Sequence, residues 1–236
     1  MRYTLLIMAL LLSRSPLVGA DTVDHYVDLT LGHSRGDFNS AQNTELSQLQ
    51  ITYGQVMEHY DFSIVLPYLF LSDNLGNESG MGDTTLRIGT SLKGKNSGTD
   101  NLYASIAIKL PTANDSKGLG TGEADLGGFL TYTHDLKKMS LSVLGGYIVT
   151  GDSLFQRYEN IFVYGVGLSN IVTPWYYYAS LDGRQATLIA DNPSLELSAG
   201  FFYQLNPDQF VKMEGFAGLS NSSPDMGATI GFINWF

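Results

Sequence analysis

Past residue 20, apolar and polar side chains alternate with a period of two over most of the chain, and no run of about 20 apolar residues interrupts them. Leu49-Gln50-Ile51-Thr52-Tyr53 carries its apolar side chains at odd positions, and Leu86 through Leu92 repeats the pattern with the opposite parity. Leu102, Ala104, Ile106, Ile108 and Leu110 alternate with Tyr103, Ser105, Ala107 and Lys109. Such segments are strands with one apolar face and one wetted face.

Composition decides which kind of strand protein this is. Charged residues make up only 15% of the chain, against about 25% in a soluble domain, while there are 26 Gly, 14 Tyr and 12 Phe. Low charge, abundant glycine and aromatics without a spanning helix point to a closed transmembrane β-barrel. A soluble β-sandwich has no need of outward Leu, Ile and Phe on nearly every strand.

Twelve strands are expected, near 24–34, 45–54, 59–72, 83–93, 101–112, 123–134, 138–150, 158–169, 175–184, 194–205, 209–220 and 226–236. An even count returns both termini to one side, as in bacterial single-chain barrels. Short connections at 55–58, 135–137, 170–174 and 206–208 alternate with longer ones near 35–44, 73–82, 113–122, 151–157 and 185–193. These read as periplasmic turns and outer loops. The connection at 94–100 is long for a turn and that at 221–225 is short for an outer loop. Tyr53, Tyr60, Phe62, Tyr132, Trp175, Tyr177, Tyr203 and Phe236 fall at turn-side strand ends, and Tyr68, Phe70, Tyr147 and Phe162 near the outer ends. Two interfacial aromatic belts are the expectation.

The first 20 residues read as a secretory signal, with Arg2 before an apolar Leu5–Leu12 stretch and Val18-Gly19-Ala20 at the cleavage point. The barrel domain is then 21–236, in the outer membrane of a Gram-negative bacterium. The final "GATIGFINWF" puts Ala228, Ile230, Phe232 and Phe236 on one face. It resembles the terminal strand by which such barrels engage the assembly machinery, with Asn234 standing where an apolar residue is usual.

With Arg2 and Arg14 removed, 11 of the 13 basic residues remain against 23 acidic ones, a balance that disfavours nucleic acid. Cysteine is absent, so no disulfide stabilises the exported chain. His25, His33, His59 and His134 are scattered, which leaves no metal site, and no cofactor is expected. His33 and Ser34 point to opposite faces of a strand and cannot form a dyad with each other. No catalytic residue is therefore assigned. A barrel enzyme acting on lipid or lipopolysaccharide is the alternative, and it requires a Ser or Asp within reach of a His at the lipid-facing rim.

Charge concentrates on the inward face, because Arg or Lys facing lipid costs roughly 2–4 kcal/mol at the midplane. Asp28, Arg87, Lys109, Asp125, Asp182, Arg184, Glu196, Lys212 and Glu214 are the candidate pore-lining residues. Hairpin symmetry suggests the pairs Lys109–Asp125 and Arg184–Glu196. Mixed signs favour mutual ion pairing over strong ion selection; a lumen plugged by such pairs is a third reading. Small residues such as Thr30, Ser105, Thr131, Ser142 and Ser180 share that face with Tyr103, Phe129, Tyr178, Phe202 and Phe216.

The glycines of "KGLGTGEADLGG" suggest a phosphate loop, but strand alternation follows them where a helix would be required, and no Lys-Ser/Thr ending is present. They read instead as an outer hairpin loop. "SGMGDTTLRIG" (79–89), "KLPTANDSKGLGTGEADLGGFL" (109–130) and "LGGYIVTGD" (144–152) occur in that order. This succession resembles the outer-membrane transporter-like family of the MetA-pathway of phenol degradation, with Gly82, Asp83, Pro111, Thr112, Gly120, Gly122 and Asp125 as landmarks. The resemblance implies a barrel that passively admits small hydrophobic or aromatic compounds and carries no catalytic residues.

Overall fold

The computed structural model describes residues 23–37, 43–74, 76–93, 100–152, 158–188 and 191–236. The expected signal segment lies outside the described residues. Among the described residues thirteen strands follow one another: β1 (Asp24–Gly36), β2 (Thr44–Val56), β3 (Asp61–Asp73), β4 (Gly76–Met81), β5 (Thr84–Lys93), β6 (Asp100–Leu110), β7 (Asp125–Asp135), β8 (Ser140–Val149), β9 (Ile161–Val172), β10 (Trp175–Arg184), β11 (Ser194–Asn206), β12 (Gln209–Gly218) and β13 (Met226–Trp235).

Twelve of them form the wall. Each is antiparallel to its neighbour, and β1 pairs with both β2 and β13, so the sheet closes on itself. The closing seam runs from Tyr26↔Trp235 to Arg35↔Met226. Reciprocal backbone bonds between His25 and Phe236, at 3.1 and 2.9 Å, carry it to the last residue. The thirteenth strand, β4, falls where an outer loop was expected. On the side away from β2, β3 extends past its pairing with β5: Asp61–Val65 pairs with β5, and Tyr68–Asp73 pairs with β4. Its backbone groups beyond β5 are thereby satisfied by a ribbon folded back at the long-loop end, hereafter the outer end.

Parity sorts the side chains. Leu29, Leu31, Ile106, Leu130, Phe162 and Ile230 lie exposed on the outer surface, while Thr30, Ser63, Ser105, Thr131 and Ser142 are buried inside. An apolar surface of this extent has no place in water and matches a hydrocarbon belt. Rings edge the belt on both sides. Trp175 packs on Tyr177, Phe201 and Tyr203 at the short-turn end, where His25 stacks on Tyr53 and Phe236. Tyr68–Phe70 and Tyr147–Phe162 pair toward the outer end.

Several glycines are seats for inward rings. Gly54, Gly146, Gly200 and Gly227 stand directly opposite Tyr26, Phe129, Tyr178 and Phe216 on the neighbouring strands. At Gly227 a Cβ would meet Phe216 at 2.0 Å and the carbonyl of His33 at 2.5 Å, whereas at outward Gly145 it would meet nothing within 4 Å. Gly227→Val is therefore expected to cost about 1–3 kcal/mol by overpacking, and Gly145→Val to be tolerated. Urea midpoints of the two variants refolded in vesicles check this.

Candidate functional site: the barrel lumen

All nine candidate pore-lining residues lie in wall strands, and the register brings several of them together. Lys212 of β12 meets Asp28 of β1 at 2.5 Å across β13, and the same carboxylate accepts the Thr30 hydroxyl at 2.9 Å. Both residues are buried. Lys109 pairs with Asp125 at 2.7 Å, as hairpin symmetry suggested, and lies 3.6 Å from Asp83. The pair expected between Arg184 and Glu196 is offset instead: the register sets Arg184 opposite Ser194 and Glu196 opposite Asp182. Each partner is thus shifted by two positions along the opposite strand from the expected pairing. Glu196 accepts the Ser194 hydroxyl at 3.4 Å, Asp182 that of Ser180 at 2.6 Å, and Glu214 that of Tyr178 at 2.8 Å.

Arg87 lies over the Tyr103 ring, 5.2 Å from its centre, and the Tyr103 hydroxyl donates to both oxygens of Asp61 at 2.8 Å. Asp61 is a lumen residue that the sequence reading missed. Its signal was present, since Asp61 and Ser63 alternate with outward Phe62 and Ile64.

The rest of the lumen is far from uniformly polar. Ala107, Phe129, Leu144, Ile161 and Val163 form a buried apolar cluster with Ile148 against it, all on β6–β9. Toward the short-turn end, Tyr26, Val56, Phe202 and Ile233 form a second cluster, with Tyr176, Tyr178, Phe210 and Trp235 packed on it. Rings and aliphatic groups thus form two patches of the lining, and charged side chains share the same strands: Lys212 and Lys109 are paired with carboxylates, while Asp182, Glu196 and Glu214 accept hydroxyls. Among the described residues no group of three or more His, Asp or Glu is placed to hold a metal ion.

At the outer mouth the landmark residues form one knot. Thr112 accepts the Thr84 backbone N–H at 2.8 Å and donates to the Gly82 carbonyl at 3.1 Å. Asp83 accepts the Ala113 N–H at 3.1 Å, and a Cβ on Gly120 would sit 2.7 Å from that carboxylate. Gly118 and Gly122 take φ of 70° and 74°, conformations natural to glycine, and let the chain turn back. Leu119 is thereby buried beside Gly80 of β4, while Lys117 pairs with Glu78 at 2.9 Å. Lys109 ties the base of this loop by donating to Thr121 at 2.7 Å in addition to its two carboxylates. Lys109→Met leaves Asp83 and Asp125 facing one another and is expected to speed tryptic cleavage after Lys117 about tenfold, the effect of ~1.4 kcal/mol. Digestion of folded protein in detergent, followed by mass spectrometry, measures it.

The fold and lumen have counterparts among solved structures. The COG4313 outer membrane channel from Pseudomonas putida F1 superposes with a TM-score of 0.75 at 15% identity, covering 94% of this chain and 98% of that one. The NanC porin gives 0.59 at 12% identity, over 87% and 98%. The CymD monoaromatic hydrocarbon channel gives 0.50 at 10% identity, over 92% and 89%. No protein with a curated description matches the sequence. The family model described as "Putative MetA-pathway of phenol degradation" matches residues 18–235. With that match spanning the whole barrel, the chain belongs to this family of outer-membrane-type β-barrels.

Proposed function

We propose that this barrel is a passive channel of the Gram-negative outer membrane for small, uncharged hydrophobic or aromatic solutes. The observation that carries the reading is the pair of apolar, ring-bearing clusters in the lumen. Lys212 and Lys109 are already matched by carboxylates beside them. A water-filled ion pore has a polar interior, whereas a passage lined in part by rings and aliphatic groups suits solutes that carry no charge. Family membership and the fold shared with a monoaromatic hydrocarbon channel support the same substrate class. Residues 1–20 would direct export, and the terminal strand ending at Phe236 would present the chain to the assembly machinery before it settles among outer-membrane lipids.

Planar-bilayer recording of refolded protein tests this. The expected conductance is small and weakly ion-selective, and an uncharged monoaromatic added to one chamber lowers it. Lys212→Met removes the partner of Asp28 and is expected to move the reversal potential toward cation selectivity. A large conductance with strong selectivity in the wild type would contradict the proposal. So would a closed barrel passing neither ions nor solute, which would favour a plugged, structural role.

A further inference from the structure

Ser34, adjacent to His33 in sequence, points into the lumen and is buried. The partner that His33 does meet is across the hairpin: its Nδ1 lies 2.9 Å from the hydroxyl of Ser47, the residue directly opposite it on β2. Both side chains point outward. A Ser and a His in hydrogen-bond contact on the lipid-facing surface satisfy the condition stated above for an enzyme, and they do so independently of what crosses the lumen.

Their depth is informative. The next rungs of the same ladder toward the membrane centre are Leu31↔Leu49 and Leu29↔Ile51, all exposed apolar residues of the belt. The next rung outward is Arg35↔Glu45. Two residues of strand span roughly 7 Å, so the pair stands at the boundary between hydrocarbon and headgroups. That is the level of a lipid's ester linkages, with a cation at phosphate level one rung above. A cleft of about 380 Å3 opens beside Ser47, with Phe70 in it and Glu45, Ser72, Asn77 and Ser79 around it. It offers one ring for an acyl chain and amide and hydroxyl donors for a polarised carbonyl oxygen. Among the described residues β4, which supplies Asn77 and Ser79, is the one strand beyond the twelve that closure requires.

We infer that Ser47 and His33 form a nucleophile–base pair that cleaves acyl esters of lipids in the outer leaflet. In the tautomer protonated at Nε2, the Ser47 hydroxyl donates to His33 Nδ1. Attack of Oγ on the ester carbonyl passes the hydroxyl proton to His33. The carbon–oxygen bond to the lipid alcohol then breaks, and His33 returns the proton to that alcohol. Water cleaves the acyl-serine by the same route, releasing a fatty acid and restoring Ser47.

Two measurements on refolded, full-length barrel test the assignment. The protein is reconstituted in vesicles of phosphatidylethanolamine and phosphatidylglycerol, or in vesicles containing lipopolysaccharide, and free fatty acid is quantified. Separately, a fluorophosphonate probe is added and adducts are mapped by mass spectrometry. Fatty acid release from one vesicle type identifies the lipid class, and the adduct is expected on Ser47. Ser47→Ala abolishes both signals. His33→Gln lowers the rate about 10²–10⁴-fold, the usual worth of a positioned base. Ser34→Ala, altered on the lumenal face, leaves the rate unchanged. Heat-modifiable gel mobility shows that every variant is folded. No release from either vesicle type and no Ser47 adduct, with folded wild-type protein, would overturn the assignment. The pair would then serve only to satisfy two polar groups at the membrane boundary.

Discussion

Everything in this molecule depends on the seam between its first and last strands. Hydrocarbon holds no water to bond a free N–H or C=O, so a spanning sheet must have no edges. The register from Tyr26↔Trp235 to Arg35↔Met226, and the bonds between His25 and Phe236, remove the last edge. Once the seam is set, strand parity leaves each side chain only two destinations. Leu29 and Leu31 go to lipid, and Asp28 and Thr30 go to the lumen.

The lumen inherits a second constraint from the first. Charges excluded from lipid are gathered in a narrow interior, where leaving one uncompensated is costly. The fold answers with contacts between distant segments: Asp28 with Lys212 and Asp61 with Tyr103. The outer mouth repeats this arrangement, with Lys109 between Asp83 and Asp125. This is why glycines and acids scattered over two sequence segments belong together. They wrap a loop around one lysine, and no phosphate is needed to explain them.

The strand plan was legible because period-two alternation is a local property. The pair Lys109–Asp125 was legible for a similar reason, since the loop between the two strands is symmetric about Lys117. β4 escaped because Gly76-Asn77-Glu78-Ser79-Gly80 shows no alternation; it is a strand only because β3 outruns β5. Asp28 and Lys212 were each placed on the inward face, but their meeting depends on the closing seam, which no local pattern encodes. His33–Ser47 is of the same kind. His33 and Ser34 point to opposite faces of one strand, and the actual partner of His33 is set by the register of two.

Paired lysines and apolar, ring-bearing clusters share this lumen, and the central claim is discrimination by charge. Uptake by whole cells lacking general porins measures this directly, with and without the barrel, for an uncharged monoaromatic and a charged analogue of equal size. The account predicts that the barrel accelerates entry of the uncharged compound severalfold and leaves the charged one near background. Equal acceleration of both, or faster entry of the charged compound, would contradict it.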